Sequence, residues 1–268
     1  MDNAHNLTAP QLIAALPPER ISTYLQDASS DPVLALNRYF WNISAADPVH
    51  RVVSILEVKL RHEIDLALRD WNVRKGHTTS WMTDPAAPLS HIISPEGGKS
   101  WAERADTKTV ADRRNPTHGD LVAGTDFGSW LFLLQRPWAK TRKPWMNDDD
   151  WDHARTGITA RGTLWDEVLR NRIFPGQEAG PAFRYLSHCV DVRNRAAHHR
   201  PLFKLSASDD EKRFEQLQKM HRYAGILVRG LDYDLGQWMV GNAWIPIAIS
   251  RFPRPRCDVQ GRCSGPRP

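Results

Sequence analysis

The stretch Pro48–Trp71, PVHRVVSILEVKLRHEIDLALRDW, decides the fold class. Val49, Val52, Val53, Leu56, Leu60, Ile64 and Leu68 recur at three- and four-residue steps, which places them on one stripe of a helix. Asp47-Pro48 offers an N-cap acceptor followed by a residue whose fixed φ suits a first turn. A long amphipathic helix is therefore predicted from that point to about Trp71. Asp31-Pro32 repeats the signal, and Val33, Leu36, Tyr39, Phe40 and Ile43 mark a shorter helix before it. No strand-like alternation appears anywhere in the chain. The expected fold is all-α.

Outward from this core the pattern changes. Residues 72–117 carry Gly76, Pro85, Pro88, Pro95, Gly97, Gly98 and Pro116, so a long irregular connector is expected, weakly helical only across Ser100–Lys108. Helices are predicted at Phe127–Gln135, Leu164–Ile173, Pro181 to about Arg200, and Asp209–Arg229, with a shorter apolar piece at Leu235–Ile249. Phe214, Leu217, Met220 or His221, Ala224, and Leu227 or Val228 form the expected inner stripe of the fourth of these. Arg136–Arg161 reads as a second polar connector. Residues 1–17 read as an N-terminal extension and 18–250 as one helical domain. Arg251–Pro268 reads as a disordered Arg/Pro tail.

Composition narrows the function classes. The 268 residues are 41% hydrophobic and 25% charged, which suits a globular protein rather than a fibrous or disordered one. No apolar run is long enough for a membrane helix, and the N-terminus lacks the basic region of a signal peptide. Three cysteines, Cys189, Cys257 and Cys263, make no disulfide framework, so a reducing cytoplasm is the expected location. Eleven tryptophans are read first as core filler and second as stacking surface. The net charge of +5 is unevenly placed: Arg251–Pro268 holds +4 and Val190–Lys204 holds +3. The rest of the chain is slightly acidic.

The second of those segments carries the candidate chemistry. Arg193-Asn194-Arg195-Ala196-Ala197-His198-His199-Arg200 concentrates three arginines and two histidines with no acid among them. An imidazole titrates near neutrality and moves protons, while a guanidinium neutralises charge growing on phosphoryl oxygens. The pairing suits phosphodiester chemistry. At about 100° per residue, Asn194 and His198 share a stripe whereas Arg193 and His198 lie about 140° apart. The helix must distort, Arg193 must curl round, or two copies of the helix must meet across a two-fold axis. The same run also reads as a basic helix C-terminus that only complements the helix dipole.

Arg193-Asn194-x-x-x-His198 resembles the Arg-x4–6-His signature of the HEPN nucleases, and HHRPLF after it resembles the abortive-infection (Abi-like) branch of that superfamily. ALNRYFWNISAA, LEVKLRHEI (Leu56–Ile64), TDFGSWLFLL (Thr125–Leu134) and LWDEVL resemble further blocks of that family, in its order, over roughly residues 18–205. The resemblance implies an all-α HEPN-like bundle and a metal-independent endoribonuclease toxin used against phage. It implies catalytic roles for Arg193, Asn194 and His198, with attack of a ribose 2′-hydroxyl on the adjacent phosphate. Arg195, His199 and Arg200 become candidate RNA contacts. The implied partners are RNA, a second copy of the chain, and an antitoxin of protein or RNA.

Glu57 and Arg61, four residues apart in the family-like block, read as an ordinary ion pair or as a support for the motif helix. His188, Cys189, His198 and His199 lack a zinc-like spacing, so no metal or other cofactor is expected. A non-catalytic helical module that binds RNA or a protein remains the alternative.

Overall fold

The computed structural model describes residues 7–94, 99–109, 116–134, 147–207 and 209–255, and every regular element among them is a helix. In chain order these are α1 (Ala9–Ala15), α2 (Pro18–Asp27), α3 (Pro32–Arg74), α4 (Ser90–Ile93), α5 (Trp101–Thr109), α6 (His118–Ala123), α7 (Phe127–Leu134) and α8 (Asp148–Leu164). A π-turn (Trp165–Leu169) then leads to α9 (Arg170–Arg172), α10 (Ala179–Ala197), α11 (Asp210–Leu231), α12 (Tyr233–Gly241) and α13 (Trp244–Ser250). The chain divides into two compact units, one of residues 1–52, 191–222 and 240–268, the other of 53–190 and 223–239. The all-α expectation holds.

The expected helix boundary at Asp47-Pro48 does not exist. α3 continues through Pro48 as a single helix of 43 residues. An interior proline forfeits one backbone hydrogen bond and costs about 3 kcal/mol. Trp41 and Ala45 before it, and Val49 and Val52 after it, are all buried, and that apolar burial outweighs the local cost. Asp47 is no cap; its carboxylate takes the Arg51 guanidinium at 2.9 Å.

The stripe expected before Pro48 is displaced in part, for Leu36 is buried as expected but three others are not. Val33, Phe40 and Ile43 are 56%, 49% and 41% exposed, while Leu34, Ala35, Arg38, Trp41, Asn42 and Ala45 are buried. Two of those buried residues are polar, which apolar periodicity does not register. The Arg38 guanidinium reaches the Asp27 carboxylate at 2.5 Å, and Arg213 approaches the same carboxylate at 3.1 Å. Around this ion cluster Tyr24, Trp41, Phe203, Phe214 and Phe252 pack with ring centroids 4.9–6.0 Å apart. Phe252 and Arg254, expected in the tail, are thereby fixed: Phe252 is buried in the cluster and Arg254 pairs with Asp210. The tail from residue 256 onward lies outside the described residues.

In the second unit the α3 stripe is as expected, with Leu56, Leu60, Ile64 and Leu68 fully buried. Trp71, Trp81, Trp101 and Trp130 are buried there too, which favours the reading of tryptophan as core. Trp138 and Trp145 lie outside the described residues. Residues 77–94 are less loose than expected, because Asn72, itself buried, donates to the carbonyls of Thr78 (2.7 Å) and Asp84 (2.8 Å) and accepts from Ala86 N–H (2.8 Å). The connector expected at Arg136–Arg161 is helical from Asp148 onward.

α11 and α12 meet closely at Gly236. A Cβ built there would lie 2.4–2.8 Å from side-chain and backbone atoms of Arg229. Gly236→Ala is expected to lower stability by about 2 kcal/mol or more, since the clash includes backbone. Urea unfolding of the variant measures it.

Candidate anion site at the end of α10

The cationic run is a helix C-terminus that closes in a Schellman arrangement. Arg200 N–H donates to Arg195 C=O (2.9 Å) and His199 N–H to Ala196 C=O (3.1 Å). α10 therefore ends at Ala197, before the Arg200–Pro201 stop expected from the proline. His199 takes the left-handed conformation that this motif requires, with φ of 52°. A side chain other than glycine is strained there. His199→Gly is expected to stabilise the fold by about 0.5–1 kcal/mol, read as a higher thermal midpoint.

Val192 and Ala196 face the core; Arg193, Asn194 and Arg195 are half-buried; His198, His199 and Arg200 are exposed. The Arg193 guanidinium donates to the Asn194 side-chain oxygen at 3.0 Å. The two adjacent motif residues are thus joined. Arg193 and His198 are not: no hydrogen bond links them, and the imidazoles of His198 and His199 have no partner among the described residues. This fits the angular separation expected from the sequence. Arg195 donates to the Pro201 carbonyl, and none of Arg193, Arg195 and Arg200 has a carboxylate within 4.0 Å among the described residues. Among the described residues no ion pair compensates the positive charge of the run.

The backbone beneath that charge is fixed by side chains the sequence did not indicate. Asn42, buried on α3, accepts from Leu202 N–H at 2.7 Å and donates to Arg200 C=O at 3.3 Å. Arg20 on α2 donates to His198 C=O at 3.0 Å, which adds a fourth guanidinium to the helix end. A cation on the last carbonyls is favoured by the helix dipole. Neither residue has a signal in local spacing, because their partners lie 158 to 178 positions away. Burial, reinforced by the nearby Tyr39, pushes the Tyr24 phenol up to about 12 despite Arg20 and Arg195. Tyr24 stays neutral and is no counter-charge for Arg195.

Glu57 and Arg61 belong to the second unit. Arg61 binds the Glu57 carboxylate at 2.6 Å and the Thr125 carbonyl at 3.2 Å. Their shared task there is to hold the turn before α7. Cys189 is fully buried and its thiol is pushed up to about 12, so it is inert as a thiolate. Among the described residues no group of three His, Cys, Asp or Glu side chains is placed to hold a metal, and no helix is long and apolar enough to cross a membrane. Compared with known proteins, the chain matches no family model, no curated sequence and no solved structure.

Proposed function

We propose that the chain is a metal-independent endoribonuclease of the HEPN type that acts as a cytoplasmic toxin in defence against phage. The observation that carries this reading is the cationic end of α10, which has no carboxylate partner among the described residues. Three guanidiniums without carboxylate partners and two imidazoles without partners, among the described residues, sit on a backbone pinned by Asn42 and Arg20. Half-buried and exposed guanidiniums beside exposed imidazoles are placed to meet an anion from solvent, and a phosphodiester supplies that charge.

In the proposed reaction the ribose 2′-oxygen bonds to the adjacent phosphorus, and the bond from phosphorus to the 5′-oxygen breaks. His198 takes the hydroxyl proton or delivers one to the leaving oxygen. Arg193, oriented by Asn194, neutralises the pentavalent phosphate. One imidazole cannot do both tasks at once, and Arg193 is not paired with His198 in one copy. A homodimer that brings two α10 ends together supplies the acid and the base. Arg195, His199 and Arg200 hold neighbouring phosphates, and the substrate is RNA because DNA lacks the attacking hydroxyl. An antitoxin of protein or RNA completes the proposed system.

A second reading follows from the same missing contact: a module that binds RNA through this charge without cutting it. Purified protein incubated with tRNA and total RNA in EDTA separates the two. The nuclease leaves 2′,3′-cyclic phosphate and 5′-hydroxyl ends, whereas binding without new ends rejects it in favour of the module.

A further inference from the structure

The second unit holds a chain of polar side chains that the ribonuclease reading does not use. They are Asp65 on α3, His118 at the start of α6 and Ser80 in the preceding loop, with His118 lying 53 positions from Asp65 and 38 from Ser80. His118 Nε2 lies 2.7 Å from the Asp65 carboxylate, and Nδ1 lies 3.2 Å from Ser80 Oγ. Trp81 Nε1–H also donates to Asp65 at 2.8 Å. Burial pushes the Asp65 carboxyl up, but hydrogen bonds from His118 and Trp81, with the charges of His118 and Arg69, outweigh it and hold it below the usual range.

For a neutral His118 ring these contacts assign the protons. An ionised carboxylate only accepts, so Nε2 of His118 carries the hydrogen. In the neutral ring Nδ1 is then a lone-pair acceptor, and the Ser80 hydroxyl donates to it. Ser80 Oγ in turn accepts from the Thr83 hydroxyl at 2.9 Å. Every link points the same way, from Thr83 through Ser80 and His118 to Asp65. The Ser80 hydroxyl thus lies next to a base whose other nitrogen is fixed by an anion.

The loop that presents Ser80 is braced from behind. Asn72 grips it at Thr78, Asp84 and Ala86, and the Asp84 carboxylate accepts from Thr78 N–H at 2.8 Å. The Ser80 carbonyl accepts the amides of Thr83 and Asp84. Trp81 packs edge-on against the His118 ring at a centroid distance of 5.7 Å, which fixes the imidazole plane. Ser80 itself is half-buried and the His118 side chain keeps 13% exposure.

We propose that Ser80 is a base-activated nucleophile for acyl transfer from carboxylic esters, with His118 as general base and Asp65 orienting it. Ser80 Oγ bonds to the acyl carbon as its proton passes to His118 Nδ1. The bond from that carbon to the leaving oxygen breaks, and the proton departs with the alcohol. Water, deprotonated by the same nitrogen, then releases the carboxylic acid and restores the hydroxyl.

The test uses a fluorophosphonate on the full-length protein, where Ser80 Oγ replaces fluoride on phosphorus and hydrogen fluoride leaves. Peptide mapping is expected to place one adduct on Ser80, and p-nitrophenyl acetate is expected to show a burst of one nitrophenol per chain. Labelling in His118→Gln should be at least ~100-fold slower, because the base is gone. Circular dichroism of that variant confirms that the fold is intact. An unlabelled Ser80 in the wild-type protein overturns the proposal without any variant. Equal labelling rates in the wild type and in folded His118→Gln also overturn it.

Discussion

His198→Ala is expected to reduce RNA cleavage by about 10²–10⁴-fold, the usual contribution of a positioned acid or base. The substitution should leave the fold almost untouched, because the side chain is exposed and has no partner among the described residues. The His198 groups that serve the structure are its carbonyl, bound by Arg20, and its amide, bound by Asn194 C=O. Alanine keeps both. Arg193→Ala should abolish cleavage as well, but with a small loss of stability, since that side chain is half-buried and bonded to Asn194. End-group analysis of total RNA, read beside thermal melts, distinguishes the two variants. Cleavage that persists in both would end the nuclease reading of this motif.

The largest effect on stability is expected at Asp27. Its side chain is fully buried, and it meets Arg38 at 2.5 Å, Arg213 at 3.1 Å and the Ser206 amide at 2.9 Å. Arg38 is itself buried, and that burial, eased only in part by Asp27, lowers its pKa from the ordinary arginine value. Asp27→Ala leaves two guanidiniums facing each other among aromatic rings with no anion between them. Breaking a buried pair in this way costs about 3–5 kcal/mol, a large share of a typical domain's stability. The expected result is a sharply lower urea midpoint or failure to fold. The exposed pair Arg155–Asp152 is the control, where removal of either partner should change stability by less than about 1 kcal/mol. Similar losses at the two sites would refute the assignment of Asp27 as the anchor.

How much of this was legible in the sequence depends on how far apart the interacting residues lie. The stripe Leu56–Leu68 and the inner face of α11 are local periodicities, and both emerge as written. Pro48 misleads because its local penalty is visible in sequence while the burial on either side is not. Arg38 and Asn42 look like surface residues, for their partners are Asp27 and the chain at 200–202. α8 is masked by its acidic run and polar surface, and residues 77–94 by glycines and prolines whose disordering tendency Asn72 opposes. At the candidate site, the Arg193–Asn194 contact joins neighbours and is easily expected. The Asp65–His118–Ser80 chain was missed because each residue stands alone in sequence, with no shared motif.

Asn42 has a further consequence. Its amide binds the carbonyl of Arg200 and the N–H of Leu202 as the edge of a neighbouring strand would, although no strand is present among the described residues. This one side chain therefore imposes a register on the chain leaving α10. Insertions and deletions are usually tolerated in exposed loops. Between Ala197 and Leu202 they are expected to be destabilising, because one residue more or less would offer Asn42 the wrong peptide and turn the His198–Arg200 side chains to new directions. The segment is a loop by shape but has the length constraint of a β-ladder.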